Sequence, residues 1–396
     1  MTGAILLWII AVFATLLMAN PASAVQGVAG PIPGAERHDL VIKALAGKRA
    51  GLIVNQSSRV GDRHLVDVLL EDGIQVRKLF AVEHGIFGTA DAGATLNDTM
   101  DARRALPVIS IYGKKKAPTK RDVENLDVLV FDLQDVGVRF YTYLSSLHYV
   151  MQSCARFHIP LVLLDRPNPN ITFVDGPILE PQFQSFVGMH PIPVLHGMTL
   201  GELARMINGE GWLGKEMRCD LTVIPVAHYT HSTLYRLPVR PSPNLPNAQS
   251  IRLYPSLALF EATTISVGRG TDFPFQVLGG TRKEYGNMTF TPHPVSGAAL
   301  HPKQEGKVLY GQDLRQAQIA GLKIEIFLDW YGRANALGAP FLDRPDWLDK
   351  LMGTDHFRKQ VQAGKSAREI RASWQKGLGD FKRRRAPYLL YFESGP

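Results

Sequence analysis

The stretch Val128-Leu-Val-Phe-Asp132-Leu-Gln134-Asp135-Val-Gly137-Val-Arg139-Phe-Tyr141-Thr-Tyr143 decides the fold. It opens as an unbroken apolar run, which suits a strand buried on both faces of a parallel sheet. It then turns polar at once, with two carboxylates, an amide, a glycine and an arginine. A helical pattern follows over 139–157. In open α/β sheets, ligands sit beyond the carboxyl ends of the strands. Asp132, Gln134 and Asp135 fall at such an end.

Working outward, the upstream chain alternates in the same way. The pattern predicts a helix over 35–46, a strand over 49–55, a helix over 64–70 and a strand over 75–82. That strand delivers Glu83-His84-Gly85. A third strand over 107–112 and a short helix over 119–126 complete the approach. Downstream, a strand over 160–164 ends in Asp165-Arg166-Pro167-Asn168. A helix over 200–208 carries Thr199 and Glu202 at capping-box spacing, and a strand over 221–226 follows. This alternation predicts a doubly wound parallel α/β sheet. No strand is followed by G-x-G-x-x-G, which argues against a nicotinamide or flavin enzyme. The proline-rich segment 238–246 marks a boundary. Beyond it the rhythm changes to short extended pieces at 275–278, 289–292, 308–310 and 323–328. Helices are predicted at 311–320, 347–353 and 355–363, and from 366 on towards 385. The expected organisation is a leader over 1–24, a larger α/β domain over 35–240 and a smaller α+β domain over 247–396.

The 396 residues are 45% hydrophobic and 20% charged, ordinary values for a chain with a substantial core. The net charge of +8 suits an anionic partner. No zinc-finger spacing or stacking-aromatic motif points to nucleic acid. The apolar run 5–18 and the Ala22-Ser23-Ala24 site read as a signal peptide, so the protein is expected to be exported, to the periplasm or beyond. No later stretch is long and apolar enough to span a bilayer. Cys154 and Cys219 are available for pairing in an oxidising space.

Three strand ends place four acidic residues on one edge of the sheet: Glu83, Asp132, Asp135 and Asp165. Paired carboxyl groups, one protonated and one ionised, are what glycosidic bond cleavage requires. Glu83 is the best acid candidate, because it follows an apolar strand at the root of a glycine-rich loop. The same carboxylates also suit helix capping and loop ties. His84, His190 and His196, with Asp132 and Asp165, form a weaker metal-ligand set without a recognised spacing. There is no G-x-S-x-G elbow. Gly268-Arg269-Gly270-Thr271 offers backbone N–H groups and a guanidinium to an anion, or simply a tight turn. Tyr141 and Tyr143 could line a sugar platform, but core packing is the default for aromatics at helical spacing.

A dozen short motifs in order resemble one known family. They include Val82-Glu83-His84-Gly85, Asp91-Ala-Gly93, the stretch quoted first, and Leu164-Asp165-Arg166-Pro-Asn168-Pro169. Further on come His190-Pro-Ile-Pro193, His196-Gly197-Met-Thr199, Pro241-Ser242-Pro-Asn244, Glu261, Ser266-Val-Gly268-Arg269-Gly270-Thr271 and Tyr388-Leu-Leu-Tyr391. Together they look like the NamZ (YbbC-like) exo-β-N-acetylmuramidases. The resemblance implies a Rossmann-like N-terminal domain, a smaller C-terminal domain and an active site between them. It implies release of N-acetylmuramic acid from non-reducing ends of peptidoglycan fragments, without an organic cofactor. Its expected catalytic glutamate falls on Glu83.

The mechanism expected from sequence has Glu83 as acid, with Asp132 or Asp135 as the second group. Alternatively, the sugar's own N-acetyl group is the nucleophile and Asp135 orients it. Arg139, Arg166 and Arg269 are candidates for the sugar's lactyl carboxylate. His84, Tyr141, Tyr143, Asp165, Asn168, His190, His196, Ser242, Asn244, Glu261 and Thr271 are further candidate binding residues. A non-enzymatic muropeptide receptor and a metal-dependent amidase or deacetylase are the competing classes.

Overall fold

A computed structural model describes residues 30–392 except 92 and 95. The expected leader lies outside the described residues. In chain order come α1 (His38–Leu45), β1 (Arg49–Val54), a hairpin of β2 (Arg59–Val60) and β3 (Arg63–His64), α2 (Leu65–Glu71) and β4 (Gln75–Ala81). Next are β5 (Thr99–Asp101), β6 (Leu106–Ser110), α3 (Lys120–Val123), β7 (Val128–Asp132), α4 (Tyr143–Phe157), β8 (Leu161–Leu164), α5 (Leu200–Gly209) and β9 (Leu221–Ile224). The seven-stranded sheet runs β5-β6-β4-β1-β7-β8-β9. Every neighbouring pair is parallel except β5 with β6.

The quoted stretch explains why the sheet is buried on both sides. Successive residues of a strand point to opposite faces. Val128 and Val130 join one core with Val41, Leu45, Leu65 and Leu69 of α1 and α2. Leu129 and Phe131 join the other with Leu144, Leu147, Val150 and Met151 of α4. Each such side chain contributes roughly 1.5–3 kcal/mol on burial. The helix after β7 begins later than expected, at Tyr143. Gly137 takes φ +76°, and its backbone would bring any Cβ within 2.0 Å of the Asn168 side chain. Residues 133–142 therefore form an irregular buried turn before α4. The capping box of Thr199 and Glu202 is present at α5.

Beyond the proline-rich segment lie α6 (Ala248–Leu257) and an antiparallel three-stranded sheet. Its strands are β10 (Val277–Gly280), β11 (Met288–Phe290) and β12 (Leu309–Asp313), in the order β10-β12-β11. Helices α7 (Ile324–Ala336), α8 (Pro345–Met352), α9 (His356–Gln362) and α10 (Ala367–Arg385) follow. Two expectations fail here. The helix over 311–320 is instead the end of β12 and a loop. Gly311 crosses so close to Leu278 that an added Cβ would lie 1.8 Å from its carbonyl oxygen, an approach that only a glycine strand permits. The strand over 323–328 is the first half of α7. Lys-Ile-Glu-Ile alternates like a strand, but Ile324, Phe327, Trp330 and Ala334 form one buried helical stripe.

α10 returns to the first half of the chain. Arg371 pairs with Asp175 at 2.6 Å, and Trp374 Nε1 donates to the same carboxylate at 3.2 Å. Arg385 donates to the carbonyls of His196 and Gly197. Cys154 and Cys219 are both buried free thiols that meet each other in the core.

Candidate active site

β4 ends at Ala81, and Glu83 follows in a tight loop. His84 adopts φ 68° and Gly85 φ 73°. His84 Nδ1 lies 2.8 Å from the Ala90 carbonyl, and the amides of Thr89 and Ala90 donate to the His84 carbonyl. This loop fixes Glu83 half-buried. Thr142 Oγ1 donates to its Oε2 at 2.5 Å and the Gly93 amide to its Oε1 at 3.2 Å. The Tyr112 hydroxyl also bonds it. Burial and then the Glu83 charge hold Tyr112 well above its ordinary pKa, so it remains a donor.

Glu83 lines a cleft of about 620 Å³, the size range of a small-ligand site. Tyr141, Tyr143 and Tyr254 form its aromatic wall, with Tyr141 edge-on to both others at 4.9 and 6.1 Å. Asn55 Nδ2 donates to Tyr143 Oη at 2.8 Å. The proline-rich segment closes one side with Ser242 and Asn244. It is tied to the sheet edge by Gln56, which donates to the carbonyls of Arg240 and Pro241. Across the cleft stand Glu261 and Arg269. Arg269 places Nε and Nη2 on Glu261 Oε1 at 3.0 and 2.6 Å, and its guanidinium rests over Phe275 at 5.0 Å. His84 also borders this space.

The other strand-end carboxylates do not open onto the cleft. Asp132 is fully buried in a two-bond pair with Arg166, at 2.5 and 2.8 Å. Asp165 is also fully buried, accepting from Thr199 Oγ1, the Gly201 amide and Tyr391 Oη. Burial pushes its pKa up to about 6. Asp135 accepts from the Gly137 amide at 2.7 Å, while its Oδ2 meets no partner. Burial pushes it up to about 7. It sits behind the aromatic wall, near enough for its charge to act on Tyr141 and Tyr254. The expected convergence of four carboxylates thus reduces to Glu83. The other three are sealed by loops that only the folded chain brings over them.

Several candidate binding residues are likewise spoken for. Arg139 donates to the carbonyls of Pro177, Ile192 and Leu351, and burial brings its pKa down to about 9. Arg166 faces Asp132. Asn168 bridges the Met198 carbonyl and the Asn170 amide. His190 meets His148 at 3.0 Å and stacks on Trp212. His196 accepts from the Met198 amide. Thr271 closes the Gly268 turn and lines a neighbouring cavity of about 270 Å³ that shares Asn244 with the cleft. The histidine and aspartate metal set is not assembled, and no metal-ligand cluster occurs among the described residues.

Sequence reasoning missed Tyr112, Thr142, Tyr254 and the far wall of Arg344, Trp347 and Lys350. Thr142 and Tyr254 stood next to quoted motifs. For the far wall no local signal exists beyond its helical spacing.

With this geometry in view, the relatives can be placed. Residues 50–249 match the model of the N-terminal part of exo-β-N-acetylmuramidase NamZ, and residues 252–391 match that of its C-terminal part. The chain belongs to the NamZ exo-β-N-acetylmuramidase family. The peptidoglycan β-N-acetylmuramidase NamZ of Bacillus subtilis (strain 168) is 38% identical over 374 residues, 88% of each chain. Two solved DUF1343-family proteins of Bacteroides fragilis NCTC 9343 share the structure. One is 42% identical with a TM-score of 0.84, covering 92% of this chain and 100% of its own. The other is 27% identical with a TM-score of 0.78, covering 91% and 99%. As a NamZ-family member the chain is a glycosidase, and Glu83 borders the cleft of about 620 Å³.

Proposed function

We propose that Glu83 is the general acid with which this NamZ-family enzyme releases N-acetylmuramic acid from non-reducing ends of peptidoglycan fragments. One observation carries the assignment of the acid. Of the four strand-end acids, Glu83 alone lines the cleft. A general acid must come within hydrogen-bond reach of the leaving oxygen. Thr142, Tyr112 and the Gly93 amide hold Glu83 in place, and it forms no ion pair with any described residue. Glu261 is the second carboxylate on the cleft. Its contact with Arg269 suits a fixed negative charge opposite the developing oxocarbenium ion. Tyr141 and Tyr143 line the same cleft.

The sheet order supports a Rossmann-like doubly wound arrangement. Counted along the chain, the six parallel strands stand 3-2-1-4-5-6, with the cleft beyond their carboxyl ends. The domain division near 240–247 and export through residues 1–24 complete the proposal on sequence grounds.

The test is product analysis on two defined disaccharides, muramic acid–glucosamine and glucosamine–muramic acid in their N-acetylated forms. Free N-acetylmuramic acid is expected only when that sugar stands at the non-reducing end. Binding without turnover of either disaccharide would favour a receptor and overturn the proposal.

A further inference from the structure

The reaction proposed above demands that one sugar be told from another. N-acetylmuramic acid differs from N-acetylglucosamine by a lactyl ether, and that ether ends in a carboxylate. Of the arginines nominated from sequence, Arg269 lines the cleft but is held against Glu261, and Arg139 and Arg166 do not line it. Arg139 is buried among carbonyls, Arg166 faces Asp132, and Arg269 faces Glu261.

Helix α8 presents an alternative. Arg344, at its N-cap, and Trp347, Lys350 and Leu351 recur at helical spacing and line the cleft opposite Glu83's loop. Leu348 and Met352 anchor the helix in the core on another side. Arg344 and Lys350 are exposed and form no ion pair with any described residue. Of their acidic neighbours, two are engaged elsewhere, while the exposed Asp346 in the first turn of α8 forms no ion pair with any described residue. Asp343 pairs with Lys303, and Asp349 holds Arg358 through three short contacts. The guanidinium of Arg344 lies over the Trp347 ring at 4.9 Å, which restricts it before any ligand arrives. The Trp347 indole N–H is closed off from solvent and has no acceptor. A buried donor without a partner is costly, and a small rotation of the half-buried ring towards the cleft would offer it to a carboxylate oxygen.

We propose that Arg344, Lys350 and the Trp347 indole N–H receive the lactyl carboxylate and so select muramic over glucosamine units. This rests on the function proposed above. The three groups are specificity determinants, distant from the bond that breaks. Two cations and one neutral donor complement the negative charge and the several lone pairs of a carboxylate. A site built around such groups discriminates strongly against a sugar that lacks their partner.

The experiment is calorimetric binding of free N-acetylmuramic acid, its lactyl methylamide and N-acetylglucosamine, which needs no turnover. The proteins are the full wild-type chain and the variants Arg344→Gln, Lys350→Gln, their combination and Trp347→Phe, each with its Tm measured. Wild-type protein should bind the acid at least ~10-fold more tightly than the amide or N-acetylglucosamine, since charge-assisted hydrogen bonds are each worth a comparable factor. The double variant should lose about that factor for the acid and change less than about twofold for the other two sugars. Trp347→Phe should lose part of it. Equal losses for acid and amide, or unchanged acid binding, would overturn the proposal. So would muramoyl-dipeptide binding that depends on Lys350 while free sugar binding does not, because the stem peptide would then be the ligand. Turnover assays on the same wild-type protein report separately on the reaction.

Discussion

Thr142 and Glu83 are joined by a 2.5 Å hydrogen bond that ties the N-cap of α4 to the loop after β4. The β7–α4 connection and the loop between β4 and β5 therefore meet on one carboxyl group, which neither alone would orient. Glu83→Gln should lower kcat by at least ~100-fold with little change in Tm, as expected for loss of a general acid. Thr142→Val should cost roughly tenfold or less and displace the limb of the pH profile that reports the acid. Retention of more than a tenth of the wild-type rate by Glu83→Gln, measured on a chromogenic muramic acid glycoside, would remove Glu83 from the role.

Asp132 should behave as a structural residue. Removing one partner of a buried pair leaves an uncompensated charge and costs about 3–5 kcal/mol. Asp132→Ala should therefore lower the urea midpoint sharply, while the fraction that remains folded keeps its turnover. A normal midpoint with abolished kcat would return Asp132 to the chemistry.

The Asp135 carboxyl gives the fold a pH dependence of known sign. Its folded pKa of about 7 lies above the ordinary value of 3.8, with burial as the cause. Its contribution is complete below the ordinary value and is lost as pH rises through 7. Asp135→Asn keeps an acceptor for the Gly137 amide but carries no charge. It should raise stability at pH 8 by on the order of 1–4 kcal/mol and leave it nearly unchanged at pH 4. Denaturant titrations at the two pH values measure this.

The histidines act in the opposite direction. Burial brings His148 down to about 4 and His196 down to about 3, and His190 is lowered as well. Neutral rings are required in the folded state, so their contribution is present above about 6.5 and is lost as pH falls towards 4. His148 Nδ1 and His190 Nε2 face each other at 3.0 Å, so protonating both would set donor against donor. His148→Gln should flatten the acid limb of a Tm–pH curve between 6.5 and 4.

Much of the fold was legible because β7, β8 and β1 advertise themselves as short apolar runs between turn residues, and because Thr199 and Glu202 cap α5 locally. α7 was not, since its first four residues alternate like a strand and only the stripe through Trp330 corrects them. Glu83 was legible for a similar local reason, its place between an apolar strand and a glycine-rich loop. Local sequence could not separate it from Asp132 and Asp165. What covers those two comes from afar, Arg166 over 34 residues and Tyr391 over 226. Arg344 and Lys350 reach the same cleft from the chain's last quarter, where nothing nearby marks them.

The hydroxyl of Tyr391 rests on Asp165 at 2.6 Å, and Glu202 receives the Leu390 amide. A ribosome makes these partners in the reverse of the order in which they are needed. Until residues 390 and 391 emerge, Asp165 and Glu202 each lack one of their donors. Maturation of the sheet edge must wait for that segment, and removing it should loosen an older part of the molecule first.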